Sequence, residues 1–190
     1  MARTKRSAAG KSRRYLLPQE IDRLLAAARE EGTYAQRNYT MLLLCYRHGL
    51  RLKEIIDLRW NMIDLKNKTL RVVRIGGKKK SVHPLRPDEV QALRQLKNDF
   101  PKTAYVFISR FGSRLSERSI SRVFVQLGRA AKLKPRVAPS VLRRSAGRAL
   151  VNAGHNLLAI QQYLGHRDIS QVLDYLELPA NPYKDFWTKQ

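Results

Sequence analysis

Apolar side chains recur along this chain at helical spacing, and one segment of a different kind interrupts that periodicity. The first block shows the pattern, with apolar residues three or four positions apart at Ile21, Leu24, Leu25 and Ala28. Segment 69–75 is instead rich in β-branched residues, and the turn signal Gly76-Gly77 follows it. Such a chain is expected to fold as a mainly α domain that carries a small antiparallel β-sheet, an α+β fold.

The same patterns predict the individual elements along the chain. The predicted helices cover 18–31, 33–49, 52–59, 87–99, 116–127, 139–154, 157–164 and 169–178. The predicted strands cover 69–75, 80–85 and 104–109, of which the first two form a hairpin. Ser140 follows Pro139 at a helix start, where a serine suits the N-cap.

We expect three parts in the chain. Residues 1–16 are rich in basic side chains and form a flexible basic arm, and 17–178 form the domain. The tail 179–190 carries Tyr183, Phe186 and Trp187 on an otherwise polar background, so it is suited to docking on a neighbouring subunit.

The large positive net charge of the chain favours a polyanionic binding partner. The chain has 190 residues, with 38 Lys or Arg against 15 Asp or Glu, and a formal net charge of +23. So positive a field attracts polyanions, and counterion release from a nucleic-acid backbone is the strongest general driving force for binding. Double-stranded DNA is therefore the expected partner, although charge alone does not separate an enzyme from a ribosomal or packaging protein.

The cysteine count and the length of the apolar stretches argue against a disulfide-rich secreted protein and against a membrane protein. Cys45 is the one cysteine, so neither a disulfide framework nor a cysteine zinc site is expected. No apolar stretch approaches the roughly 20 residues of a membrane span, and the amino terminus does not resemble a secretory signal. We expect a cytoplasmic, nucleoid-associated protein with no membrane contact.

Three short segments contain groups suited to phosphodiester chemistry, which needs a nucleophile, cations for the non-bridging oxygens and an acid for the leaving oxygen. The first segment runs from Gly49 through Arg51 to Glu54. The second segment contains Arg143. The third is Leu164-Gly165-His166, and Tyr175 follows nine residues after His166. Arginine suits the second need, because its planar fork grips phosphate at two points and stays protonated.

These segments resemble the motifs of the tyrosine recombinase (phage integrase) family. Members carry G-x-R-x-x-E, then H-x-x-R, then L-G-H and a tyrosine nine residues beyond that histidine, and this chain shows the matching residues in that order over nearly its whole length. The short chain resembles the single-domain recombinases that invert fimbrial promoter switches. The resemblance implies the catalytic-domain architecture of that family.

The resemblance also implies a role for each matching residue. Tyr175 would attack a DNA phosphate to form a 3′-phosphotyrosine link, while Arg51 and Arg143 would bind the phosphate oxygens. His166 would hydrogen-bond the same phosphate, and Glu54 would support the arginines. The family needs no metal and no cofactor, since the bond energy is stored in the protein–DNA linkage. A homo-oligomer, a tetramer on paired sites, and accessory DNA-bending proteins are further expected partners.

Two motifs depart from the family pattern, the H-x-x-R box and the hairpin turn. Ser140 stands where the family normally has the histidine of H-x-x-R, and Arg144 stands where a second histidine is common. Gly76-Gly77 occupies the expected place of the hairpin lysine that protonates the leaving 5′ oxygen. Lys78, the first of three lysines that follow, is our candidate for that acid.

The departure at Ser140 leaves two hypotheses open besides a bulk nucleic-acid binder. The first is a site-specific recombinase that cleaves and rejoins DNA. The second is a recombinase-like DNA-binding accessory or regulatory protein with impaired catalysis, because loss of a positioned acid or base typically lowers the rate by about 10² to 10⁴. Whether the outcome is inversion, integration or excision stays open.

Overall fold

Helices form most of the computed structural model, which describes residues 13–30, 32–74, 80–101 and 103–176. Its helices are α1 (Pro18–Glu30), α2 (Ala35–His48), α3 (Leu52–Ile56), α4 (Pro87–Asp99), α5 (Glu117–Ala130), α6 (Pro139–Asn152), α7 (Leu157–Leu164) and α8 (Ser170–Leu173). Its strands are β1 (Ile63–Asp64), β2 (Thr69–Val73) and β3 (Lys80–Pro84), with a short 3-10 helix at Trp60–Met62. The expected fold class, mainly α with a small antiparallel sheet, is confirmed.

Helix α2 lies at the centre of the molecule. Its residues 38–45 are all buried, so the helix is covered on every side, and α1, α4 and α6 pack around it. A second, smaller apolar cluster joins α7 to the segment that follows it and contains Ile160, Leu164, Val172 and Tyr175. The carboxyl end of α2 lies between α6 and α7, where Gly49 is close to Arg143 and Leu164.

The sheet has the order β1-β2-β3, with both pairs antiparallel. The predicted hairpin is present, and its register pairs Thr69 with Pro84 and Val73 with Lys80. Strand β2 alternates strictly, with Leu70 and Val72 buried and the residues between them exposed. The strand therefore lays one face on the core.

Three sequence predictions about elements were wrong. Segment 104–109 is not a strand: Tyr105 and Ile108 each make one isolated bridge, to partners on different sides, so no ladder extends along it. The last helix covers four residues, Ser170–Leu173, and ends in turns. Ala138, not Ser140, is the N-cap of α6, because Pro139 is already the first residue of the helix and Ser140 the second.

The division into arm, domain and tail stays a prediction, since 1–12 and 177–190 lie outside the described residues. Within 13–16, Leu16 is buried, and its N–H donates to Ser145 Oγ on α6 at 2.8 Å. Arg13 forms an ion pair with Glu20 in the first turn of α1. Among the helices of the described ranges, none has both the length and the apolar character needed to cross a membrane.

Candidate active site

The candidate site lies where two helices end side by side. Helix α2 ends at Gly49 (φ 55°) and α7 at Gly165 (φ 65°), both in the left-handed region that favours glycine. A side chain at Gly49 would also collide with Leu164, whose Cδ2 would lie 2.4 Å from the added Cβ. The two carboxyl ends, with their carbonyl groups and negative dipole ends, therefore lie together.

Arg51 binds across this junction. Its Nη2 donates to the carbonyl of Gly165 at 2.8 Å, and its Nη1 donates to Glu54 Oε1 at 3.1 Å. Glu54 Oε2 in turn accepts the backbone N–H of Arg51 at 2.9 Å, which closes the first turn of α3. The Arg51 side chain keeps 30% of its surface exposed, so a ligand can reach it.

Arg143 reaches the same junction from the middle of α6. Its Nη1 donates to the carbonyl of Gly49 at 2.6 Å and its Nη2 to that of Leu164 at 2.5 Å. Burial, assisted by the nearby charges of Arg51 and Arg74, lowers the pKa of Arg143 to about 10. The side chain therefore remains a cation at neutral pH. It binds the ends of both helices, whereas Arg51 binds the end of α7.

His166 and Tyr175 meet through a hydrogen bond. Tyr175 Oη lies 2.9 Å from Nε2 of His166, whose Nδ1 lies 2.5 Å from Oε1 of Gln171. Burial, then the charge of Arg143, lowers the pKa of His166 to about 4, so the ring is neutral at pH 7. Because an amide oxygen only accepts, Nδ1 carries the proton, and Nε2 accepts the phenol O–H of Tyr175.

Tyr175 is held rigidly in this position. The residue is 5% exposed and packs on Gly147 of α6, where an added Cβ would come within 2.3 Å of the ring. Burial raises the pKa of the phenol, although the charge of Arg143 opposes that effect. At neutral pH the group is therefore protonated, and it needs a proton acceptor to become a nucleophile.

Sequence reasoning missed Arg74, which the structure buries in the same site at 5% exposure. Its Nη1 donates to Glu54 Oε2 at 2.8 Å, and its Nη2 donates to the carbonyl groups of His48, at 2.9 Å, and Tyr163. One sequence signal could have revealed it. The alternation of β2 puts positions 70, 72 and 74 on the inward face, so it predicts a buried arginine at 74.

One predicted site residue lies apart from this set, and another lies outside the described residues. Ser140 is exposed at the second position of α6, one helical turn before Arg143. Lys78 lies outside the described residues, as does the turn that carries it. Arg51, Glu54, Arg143, His166 and Tyr175 are thus the predicted residues that the fold gathers.

A second polar cluster lies behind the site, and sequence analysis assigned it no chemistry. His48 Nε2 lies 2.9 Å from Glu89 Oε1, and His48 Nδ1 lies 3.1 Å from His83 Nδ1. His83 stacks on Tyr163 with ring centroids 3.9 Å apart. Burial, then the neighbouring His48 and Arg74, lowers the pKa of His83 to about 3. The described residues contain no group of His, Cys, Asp or Glu able to hold a metal ion.

Comparison with known proteins agrees with this geometry. Residues 14–181 match the phage integrase family. The chain belongs to that family. It is 37% identical to the type 1 fimbriae regulatory protein FimB of Escherichia coli K12, in an alignment covering 97% of this chain and 94% of FimB. It is 33% identical to FimE of the same strain, over 93% and 92% of the two chains.

Solved structures share the fold of this phage integrase domain. The XerH site-specific recombinase bound to its difH substrate superposes with a TM-score of 0.79, at 19% identity over 95% of this chain and 55% of XerH. The architecture is thus that of a tyrosine recombinase catalytic domain. As a member of the tyrosine recombinases, the protein is an enzyme that cleaves and rejoins DNA strands.

Proposed function

We propose that Tyr175 cleaves double-stranded DNA at a specific site by forming a 3′-phosphotyrosine link, with Arg51 and Arg143 binding the two non-bridging oxygens. The observation that carries this proposal is the 2.9 Å hydrogen bond between Tyr175 and a neutral His166, next to two arginines that bind the junction of the α2 and α7 ends. A nucleophile, a proton acceptor and two cations in one place are what strand transfer requires.

The proposed step moves one proton and exchanges one bond. The phenol proton of Tyr175 passes to Nε2 of His166 as Oη bonds to phosphorus, and the bond from phosphorus to the 5′ oxygen breaks. The leaving 5′ oxygen takes a proton from an acid, for which Lys78 stays our candidate. Rejoining reverses the step with a 5′ hydroxyl of another strand. The protonated His166 then donates to the phosphate, which is the contact the family resemblance implies.

Glu54 and Ser140 have supporting roles in this proposal. Glu54 holds Arg51 through both its backbone and its guanidinium. Ser140, exposed at the amino end of α6, offers the phosphate a neutral hydroxyl where the family has an imidazole.

We further propose inversion of a DNA segment as the outcome. Similarity to FimB and FimE over nearly the whole chain supports it. A tetramer on paired sites, assisted by DNA-bending proteins, fits a reaction that exchanges four strands. The net charge of +23 supports binding to the DNA backbone and a nucleoid-associated location in the cytoplasm.

The direct test is a nicked suicide duplex, from which the cleaved strand end diffuses away and traps the covalent adduct. Wild-type protein should form an adduct that resists denaturing electrophoresis, and Tyr175→Phe should form none while binding the same duplex with unchanged affinity. If the wild type forms no adduct on its own site, or if Tyr175→Phe still forms one, the proposed chemistry is wrong.

The exposed Ser140 favours one second candidate, a DNA-binding accessory protein with impaired catalysis. That candidate predicts specific binding without cleavage, and it predicts that Ser140→His makes the adduct appear for the first time. Our proposal predicts an adduct with serine in place. Footprinting then separates both from a bulk nucleic-acid binder, which would show no preferred site.

A further inference from the structure

Arg74 is the most completely buried arginine of the site, and its surroundings differ from those of Arg51. Its side chain is 4% exposed, against 30% for Arg51. It follows the last residue of β2, at the inward position after Leu70 and Val72, and it is buried. A phosphate that binds Arg51 therefore has no open surface of Arg74 to contact.

Arg74 shares a carboxylate with Arg51. Glu54 Oε2 accepts Nη1 of Arg74 at 2.8 Å, while Glu54 Oε1 accepts Nη1 of Arg51 at 3.1 Å. The carboxyl group is itself buried, at 3% side-chain exposure, so both hydrogen bonds are formed away from water. Displacement of Arg74 would remove one of the two cations that neutralise this buried carboxylate and would leave Oε2 with the backbone N–H of Arg51, so the attraction between Glu54 and the Arg51 side chain would change.

Arg74 also bonds the ends of both helices that form the site. At the α2 end it donates to the carbonyl of His48 at 2.9 Å, and at the α7 end to the carbonyl of Tyr163. Its aliphatic stem packs on Gly165, where an added Cβ would lie 2.6 Å from Cγ of Arg74. Gly165 immediately precedes His166, and its carbonyl accepts Arg51.

The chemistry of the position demands a guanidinium group. The last carbonyl groups of a helix have no partner within it, and a cation near them is favoured by the dipole. One planar fork reaches two helix ends and a carboxylate together, whereas an ammonium group is a single point of charge on a flexible stem. Lysine at position 74 would retain the positive charge, but it would not bind both helix ends and Glu54 at the same time.

We propose that Arg74 is a positioning residue, which fixes the α2 and α7 ends against each other and thereby orients Arg51 and His166 toward the scissile phosphate. This inference rests on the proposed function. Besides Arg51 and Arg143, Arg74 gives the site a third arginine, which touches no substrate and acts through Glu54 and Gly165.

The test compares Arg74→Lys with Arg37→Lys as a matched control. Arg37 is also buried, at 6% exposure, and donates to the carbonyl of Ile108 at 2.8 Å. It lies near the amino end of α2, about 17 Å from the carboxyl end at a rise of about 1.5 Å per residue. Both variants lose a buried fork, so both should lose similar thermal stability.

Adduct formation on the suicide duplex separates a positioning role from a structural one. We expect Arg74→Lys to bind DNA within about threefold of wild type and to cleave about 10²-fold more slowly, since a misplacement of about 1 Å costs that much. Arg37→Lys should cleave within about threefold of wild type. A duplex with a neutral methylphosphonate at the scissile position has less charge for Arg51 and Arg143 to bind, so there the Arg74→Lys defect should shrink to less than tenfold.

Several results would overturn the inference. The inference is wrong if the wild type cleaves DNA and Arg74→Lys cleaves it at the same rate. It is also wrong if Arg74→Lys slows cleavage equally on the ordinary duplex and on the methylphosphonate duplex. Arg74→Gln, which buries no charge, is the second variant if the lysine variant does not fold. If neither folds, Arg74 is required for folding and the inference is rejected. An inactive wild type would instead refute the proposed function itself.

Discussion

The ring of Tyr175 occupies the space that a side chain at position 147 would need. In Gly147→Ala the new Cβ would lie 2.3, 2.5 and 2.8 Å from three ring carbons, whereas ordinary carbon contacts are about 3.5 Å or more. The ring must therefore retreat by about 1 Å. That shift is large enough to break the 2.9 Å hydrogen bond to His166 and should slow adduct formation by about 10²-fold.

A matched control lies in α5. In Gly128→Ala the new Cβ would come within 2.6 Å of the Val137 side chain, remote from the site in the main core. Overpacking of this kind costs about 1–3 kcal/mol of unfolding free energy, of which helix propensity returns about 1 kcal/mol for each Gly→Ala change. Both variants should thus lose up to about 2 kcal/mol, measured by urea unfolding.

Only the variant at 147 should lose cleavage. The assay is the single-turnover rate of adduct formation on the suicide duplex, with both proteins at a saturating concentration and a temperature where both are folded. If Gly147→Ala forms its adduct within about threefold of the Gly128→Ala rate, the position of Tyr175 against α6 is not its reactive position.

Three further predictions concern residues around the site. Ser140→His should raise the rate of adduct formation by about tenfold or more without changing DNA affinity, since it adds a positioned imidazole; an unchanged rate would show that the pocket does not use that position. Cys45 is fully buried and burial raises its pKa, so mass spectrometry should detect no alkylation of the folded protein and full alkylation in urea. His83 lies in the cluster with His48, Arg74, Tyr163 and Glu89, and its folded-state pKa of about 3 lies below its unfolded value of about 6.5. Because the unfolded chain then binds the proton more readily, the free energy of unfolding should fall as pH drops from 6.5 toward 3. His83→Asn should reduce that slope by at most about 1.4 kcal/mol per pH unit in urea unfolding at a series of pH values, and an unchanged slope would contradict the assignment.

Periodicity was sufficient to predict most of the fold. Apolar spacing located the helices, and the β-branched run at Thr69–Val73 located the hairpin, because both signals are local. The two-residue strand β1 and the isolated bridges of 104–109 were not predicted, since each forms through pairing with another segment and has no repeating pattern of its own. Tyr105, for example, is extended through its bridge to Arg59.

The site was predicted in part, and for a different reason. Motif spacing identified Arg51, Arg143, His166 and Tyr175, and the fold places them together. Spacing did not show that the two arginines bind helix carbonyls, or that the phenol donates to a neutral imidazole. Those facts depend on where α2 and α7 end in space, and so does the burial of Arg74.

The phenol, its imidazole acceptor and both guanidinium groups belong to a single polypeptide, and the ring of Tyr175 is packed on α6 of that same polypeptide. In the proposed tetramer, a protomer arranged in this way could not lend its tyrosine to a neighbour without first unpacking it. In mixed assemblies, an Arg143-deficient chain and a Tyr175-deficient chain would therefore not complement each other. Activity would decline with every defective copy, and each DNA strand would be cut by the protomer that holds it.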